Sequence, residues 1–271
     1  MELPLDLSDR PDSLFGHVER FTGASELRKN LWPVRLLDPP GRNRRVVASD
    51  GHIAVDAPAS EAEPTSGEEE GKIVETDLSS DGAGAQYAGT VLYYTSEGRS
   101  ADPIYHQWTK NLRAHLEELP VTSVPETIPC PDCEGSGHEI CPHCGQATGR
   151  PCSACGGRGE TADETRPGKR FTGTPTVQLG ERHASRAGHF RADYLMLVLW
   201  TLEAAEIERF EVSTTQTSSG DGLWVFYPYH QEAPGWQKLP EDWHFVLAPI
   251  QKATEFGDFV LPSRPYASLS S

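Results

Sequence analysis

The sequence predicts an α+β chain, one large domain or two small ones, with a small cysteine-rich module in its long middle stretch. Three observations predict it. Short strand patterns with tight-turn signals occupy residues 31–57 and return over 209–250. The most apolar helical stretch of the chain runs over 189–208, just before the second strand set. All six cysteines fall within CPDCEGSGHEICPHCGQATGRPCSACGGRG, residues 130–159, far from either strand set.

Taken in order, residues 1–10 read as a lead-in. Asp12-Ser13 is a cap signal for a helix expected through about Leu27, with Leu14, Phe15, Val18 and Phe21 as its apolar stripe. LWPVRLLD (31–38) reads as a strand, with Pro33 pointing to an edge or bulge. RRVVASD (44–50) and HIAVDA (52–57) read as two strands joined at Asp50-Gly51. Composition then changes. Residues 61–81 carry eight acidic side chains against Lys72 alone, the signature of a solvated linker. TVLYYTS (90–96) reads as a strand, and DPIYHQWTKNLRAHLEEL (102–119) as an amphipathic helix on Ile104, Trp108, Leu112 and Leu116. After the cysteines, TADETRPGKR reads as a second polar linker and TVQLGE as a short strand. Phe190, Tyr194, Leu197, Val198 and Leu202 give the 189–208 helix its period. RFEVSTT, LWVFYPY and WHFVLAPI follow as strands, and the tail after Phe259 reads as loose.

Composition bounds the function. The 271 residues carry a net charge of −16, which works against nonspecific binding to nucleic acid or anionic membrane. Apolar residues are 37% of the chain, and 25 glycines with 22 prolines imply many turns. No apolar run reaches transmembrane length, and MELPLDLSDR does not read as a signal peptide. Clustered cysteines then point to a reducing cytoplasm, with no membrane partner. No Walker loop, GxSxG or HExxH occurs, so a non-enzymatic role is expected.

The cysteines carry the chemistry. They form three Cys-x-x-Cys pairs, Cys130/Cys133, Cys141/Cys144 and Cys152/Cys155, each beginning eleven residues after the last. A Cys-x-x-Cys turn sets two sulfurs on one side of a bend, and two such turns make the tetrahedron Zn²⁺ prefers. Glycines after each pair permit the positive φ that such turns use. With Ile140 as essentially the one apolar residue between the pairs, the segment needs a metal to hold it folded. Zinc is the favoured reading; an iron–sulfur cluster, a redox pair and disulfides are the alternatives these residues leave open.

Cys130-Pro-Asp-Cys133-Glu-Gly135-Ser-Gly137 and Cys152-Ser-Ala-Cys155-Gly-Gly157-Arg-Gly159 both read CxxCxGxG. This resembles the repeat of the DnaJ-type cysteine-rich domain, in which four repeats pair to bind two zincs. Here two repeats are complete, and Cys141-Pro-His-Cys144-Gly145 is degenerate. The J-domain signature is missing, so the resemblance implies a metal site and not co-chaperone activity. If the outer pairs bind together as the family's outer repeats do, Cys141 and Cys144 remain. They would recruit His138 and His143 for a second site, or two zincs would share bridging thiolates; one or two Zn²⁺ ions are therefore expected.

A second resemblance joins the flanking pieces. Val47-Ala-Ser-Asp-Gly-His52-Ile-Ala-Val55 is similar to a strand–turn–strand of the bacterial DNA polymerase III sliding clamp, the beta subunit. Phe190-Arg-Ala-Asp-Tyr194-Leu-Met-Leu, FEVSTT and Phe245-Val-Leu-Ala-Pro249-Ile250 resemble that family's F-x-x-x-Y-L helix, a following strand and the closing strand. The resemblance implies one clamp-like α+β domain made of 8–58 and 172–251, with 59–129 an acidic linker holding a strand and a helix, 130–159 the zinc module and 252–271 a tail. Clamps encircle DNA with six such domains and basic inner helices. This helix carries Arg191 but also Asp193, Glu203, Glu206 and Glu208, which would repel phosphate, and a ring would need six chains. The expected function is a zinc-binding interaction protein with a protein partner in DNA replication or repair. The alternative is a zinc-dependent nucleic-acid binder, with Arg166, Lys169, Arg170, Arg182, Arg186 and Arg191 as candidate phosphate contacts.

Overall fold

The computed structural model describes residues 5–22, 33–62, 73–80, 82–96, 103–140, 146–179, 188–214, 222–229, 243–249 and 259–260. The chain is α+β, with strands predominating, and divides into two compact units. The larger comprises Met1–Pro4, Arg10–Pro120 and Thr172–Ser271; the smaller comprises Leu5–Asp9 and Val121–Phe171. No helix among the described residues is long and apolar enough to cross a membrane.

The larger unit begins with α1 (Leu14–Glu19), β1 (Val34–Leu37), β2 (Arg45–Ser49), β3 (Ile53–Pro58), α2 (Ala59–Ala62), β4 (Ile73–Glu75), α3 (Ala83–Ser96), β5 (Pro103–Trp108) and α4 (Thr109–Glu117). The chain then forms β6 (Val121–Pro129), β7 (His138–Ile140), β8 (Ala147–Pro151) and β9 (Glu160–Phe171) of the smaller unit. It returns as β10 (Thr176–Leu179), β11 (Gly188–Arg191), α5 (Ala192–Ala204), β12 (Arg209–Thr214), β13 (Trp224–Pro228), β14 (His244–Leu247) and β15 (Phe259–Val260).

One eight-stranded sheet, ordered β4-β1-β2-β3-β14-β13-β12-β5, organises the larger unit. Its middle joins segments from before and after the insertion: β14 runs antiparallel to β3, with Phe245 opposite Val55. Strand alternation sends side chains to two faces. Val47, Ala54, Val225, Tyr227 and Val246 meet Ala88, Val91 and Leu92 of α3 on one face. On the other, Phe245 meets Phe21 at 5.8 Å, and Phe226 meets Phe190 and Phe210 at 6.1 and 5.8 Å. The 50–51 turn forms as the sequence predicts. Asp50 Oδ1 accepts the His52 and Ile53 amides at 2.8 and 2.9 Å, and Gly51 takes φ +92°. Asp50 Oδ2 accepts the Tyr194 hydroxyl at 2.8 Å, which ties the hairpin to α5.

The face under α3 also buries charge. Arg45 and Asp56 are fully buried and paired, Nε to Oδ1, at 2.6 Å. Asp56 also accepts from Thr95 of α3 at 2.6 Å and from Arg42 at 3.3 Å, and His244 Nδ1 lies 3.7 Å from it. Each bond lowers the cost of desolvating the carboxylate.

Several expectations are corrected. Residues 90–96 are the end of helix α3, not a strand; Ala85, Ala88, Val91, Leu92 and Thr95 are its buried line, a helical period that begins upstream of the VLYY run. Residues 103–108 are strand β5, paired with β12, and only 109–117 are helical. TADETRPGKR is not a linker: it lies in β9, laddered against β6, and pairing overrides its weak strand propensity. Residues 189–191 are strand, paired with β10, so the apolar helix starts at Ala192. Helix α1 has the expected Ser13 cap, whose side chain accepts the Gly16 amide, but ends at Glu19. Of the stretch 59–129, expected as an acidic linker holding a strand and a helix, the part through Pro120 supplies α2, β4, α3, β5 and α4 to the larger unit. Residues 63–72 and 81 of the acidic run, and nearly all of the 252–271 tail, lie outside the described residues.

Candidate metal centre

In the smaller unit, β6 and β9 form a long antiparallel ribbon, and β7 and β8 form a second, short one. Leu5–Asp9 joins them: Leu7 donates its amide to the Lys169 carbonyl at 2.6 Å, and Asp6 Oδ1 accepts the Lys169 amide at 3.0 Å. Partial burial alone would raise the Asp6 carboxyl. Hydrogen bonds from Ser8 and Lys169, with Arg170 nearby, outweigh it and hold the group below its usual range.

The two complete repeats sit at the base of the β6–β9 ribbon and follow one backbone course, 22 residues apart. Cys130 donates its amide to the Gly159 carbonyl at 2.8 Å, and Cys152 donates to the Gly137 carbonyl at 2.9 Å. The same offset relates Ser136 N to Cys133 O (2.8 Å) and Arg158 N to Cys155 O (3.3 Å). The repeats are thus locked face to face by a local pseudo-twofold. Their approach is too close for side chains at Gly137 and Gly159: a Cβ on Gly137, at φ +73°, would lie 2.6 Å from the Gly157 carbonyl oxygen.

This locking gathers Cys130, Cys133, Cys152 and Cys155. Their four sulfurs all lie within 4.8 Å of one another. The Cys130–Cys152 and Cys133–Cys155 separations are 4.0 and 3.8 Å, about twice a disulfide bond. A tetrahedron with metal–sulfur bonds of about 2.3 Å has edges of about 3.8 Å, so the donor set fits a tetrahedral metal ion. All four cysteines are at most 3% exposed. Among the described residues of this unit, the buried hydrophobic side chains are these four and Phe171. Burial pushes the Cys130 thiol up to about 11, with the Cys133 and Cys152 thiols adding to it. At Cys155 burial is outweighed by the Gly159 amide, 3.2 Å from its sulfur, and by the neighbouring thiols, which bring it down to about 7.

The other expected site residues are placed differently. His138 stands exposed on β7, outside the four-sulfur cluster, and Cys141, His143 and Cys144 lie outside the described residues. Lys169 and Arg170 lie on β9 in the smaller unit, as does the backbone of Arg166. Arg191 belongs to the larger unit, where it is ion-paired with Asp193 and lies 4.6 Å over the Tyr194 ring. Arg182 and Arg186 lie outside the described residues. Sequence reasoning passed over Gly137 and Gly159 as packing positions; overlaying the two CxxCxGxG repeats is the signal that finds them. It also passed over Asp6, for which the sequence held no signal.

No protein-family model matches the chain, and no curated protein matches it. Among solved structures, it resembles the beta subunit from DNA polymerase of Streptococcus pyogenes at 11% identity and a TM-score of 0.39, over 93% of this chain and 66% of that one. It also resembles the sliding clamp, DNA polymerase III subunit beta, from Bartonella birtlesii bound to griselimycin, at 12% identity and a TM-score of 0.39, over 87% of this chain and 63% of that one. The chain thus spans less than two thirds of the length of either.

Proposed function

We propose that the smaller unit is a structural zinc module holding one Zn²⁺ on Cys130, Cys133, Cys152 and Cys155, and that the larger unit is a clamp-type domain acting as a docking platform for a protein partner in DNA replication or repair. The observation that carries the first part is the buried cluster of four sulfurs, all within 4.8 Å of one another. Four protein donors leave no open coordination position, which is the arrangement of structural and not catalytic zinc. When bound, the ion supplies the cross-link that the unit otherwise lacks. The thiols need a reducing compartment to stay available to it.

The second part rests on the sequence resemblance. Its separate pieces come together in the fold: the VASDGHIAV hairpin is β2–β3, its Asp50 bonds Tyr194 of the FRADYLML segment, and its Val55 pairs with Phe245 of the closing strand. Contact among segments that far apart in sequence is what a shared domain plan requires. The ion pair of Arg191 with Asp193 favours a protein partner over nucleic acid, since it takes one candidate cation away from phosphate.

The test is elemental analysis on chain purified without added metal, with oligomeric mass from the same sample. One zinc per chain is expected. Two would bring in Cys141 and Cys144 with His138 and His143 or bridging sulfurs, and none would overturn the metal reading. Pull-down that survives high salt is expected for the protein partner. Affinity for nucleic acid that falls steeply with salt would favour the alternative.

A further inference from the structure

Gly168 stands in a strand where the backbone does not ask for glycine. It pairs with Val124 in the β6–β9 ladder, and its φ is not left-handed. Glycine inside a strand weakens it and marks a place where another group approaches closely. Here that group is Asp6: a Cβ added to buried Gly168 would collide with the Asp6 carboxylate. The same carboxylate accepts the Lys169 amide at 3.0 Å, and the Lys169 carbonyl accepts the Leu7 amide at 2.6 Å. The positive charge of Arg170 favours the ionised form of Asp6. The Nε of Arg170 is buried and has no hydrogen-bond partner among the described residues. Together these groups form a notch of one carboxylate's size on the edge of β9 that faces away from β6. Gly168 gives it room, the Lys169 amide gives it a donor, and Arg170 gives it charge.

The notch and its occupant are held differently. Gly168, Lys169 and Arg170 are laddered to Val124, Ser123 and Thr122. Asp6 and Leu7 meet them through the two hydrogen bonds just given, and Ser8 braces Asp6 from within the same short segment. Leu5, Asp6 and Leu7 are half-buried, and Ser8 and Asp9 are exposed. The receiving side is thus preformed, and what it receives is a short extended segment, as in strand addition to a sheet edge. We propose that this notch is a docking site for an extended, aspartate-bearing segment of a protein partner, and that Leu5–Asp9 fills it in cis as a stand-in. Main-chain bonds to Lys169 supply affinity, and the Gly168 notch with its neighbouring cations selects the carboxylate. The inference goes beyond the reading above, which gives the smaller unit no partner, and it does not need the clamp resemblance.

The experiment uses the full chain as purified and a fluorescein-labelled peptide, Leu-Asp-Leu-Ser-Asp, a copy of residues 5–9, read by polarisation. In the parent the tethered Asp6 competes with the probe. Asp6→Ala removes that competitor and is expected to bind the probe about tenfold more tightly than the parent does. Ser8→Ala loosens the occupant, leaves the notch intact and is expected to fall between them; it carries the test if Asp6→Ala does not fold. Adding Gly168→Ala to either variant fills the notch and is expected to abolish the gain. A probe with asparagine in place of its first aspartate is expected to bind about fivefold more weakly, since it loses the charge-assisted bond. Equal affinity in the parent, Ser8→Ala and Asp6→Ala would overturn the inference, as would equal binding of the two probes. Dimers of the parent that Asp6→Ala loses would give the notch to a second copy of the chain and overturn the partner.

Discussion

Replacing Gly137 with alanine tests whether the locked knuckles create the metal centre. Alanine at φ +73° has a left-handed backbone cost of about 1–2 kcal/mol. Its Cβ would also stand 2.6 Å from the Gly157 carbonyl oxygen, and that atom is backbone and cannot swing away. Relief needs the knuckles to part by roughly 0.8 Å, measured against an ordinary contact of about 3.4 Å. That shift weakens the Cys152–Gly137 and Cys130–Gly159 hydrogen bonds, each worth about 1 kcal/mol net. The sum is about 3–4 kcal/mol. Binding and folding of this unit are one equilibrium, so metal affinity should fall by about 100- to 1000-fold. Gly156 is the control. It has φ +61° with nothing within 4 Å of an added Cβ, so its alanine variant bears the backbone cost alone. An affinity loss of about five- to thirtyfold is expected there. Competition against a chelator of known affinity measures both. Losses within twofold of each other would refute the interlocking argument.

Three further outcomes follow from the larger unit. Asp56→Ala strands the buried Arg45 guanidinium and should cost about 3–5 kcal/mol in urea unfolding; a loss under about 1 kcal/mol would show that the pair does not hold α3 to the sheet. His17 is buried, and burial with Arg10 nearby lowers its pKa to about 4 from 6.5. The unfolded chain therefore binds the extra proton between those values, so stability should fall as pH drops from 6.5 toward 4, by up to about 3 kcal/mol, and a His17→Gln variant should lose that slope. Glu206 ends α5 at φ +57°, where the Ile207 amide bonds the Leu202 carbonyl at 2.7 Å. That is a glycine position, so Glu206→Gly should raise stability by about 0.5 kcal/mol, read as a Tm rise of about 1–2 °C.

What was legible in the sequence divides along physical lines. Signals held within a few residues read well: the Asp50-Gly51 hairpin, the Ser13 cap, the apolar run of α5, and the strands Val34–Leu37 and Trp224–Pro228. The Cys-x-x-Cys spacing showed which residues to suspect, because ligand spacing is a local property. Segments whose state is decided by a distant partner read poorly. Residues 103–108 are strand because β12, a hundred residues later, offers its edge. TADETRPGKR is strand because β6 does the same, although the sequence alone describes a charged linker. Asp6 acquires its role from Lys169, and Asp56 from Arg45, Thr95 and Arg42.

The two units differ in what holds them, and this bears on how they would respond to metal loss. The larger unit buries aromatic and aliphatic side chains on both faces of its sheet, as at Phe226, Phe245, Val91 and Leu92. Such burial contributes about 25 cal/mol per Å² and does not depend on an ion. The smaller unit has four sulfurs and Phe171 in that place among its described residues. Its ribbons supply backbone hydrogen bonds, worth little net against water, and its glycines at positive φ, Gly135 and Gly157 among them, have large conformational entropy to lose. Removing the ion should therefore unfold the knuckles while the large sheet keeps its structure. Amide exchange would show this as protection lost at Cys130 and Cys152 but kept at Val55 and Phe245. Simultaneous loss at all four would mean that the sheet, too, depends on the metal.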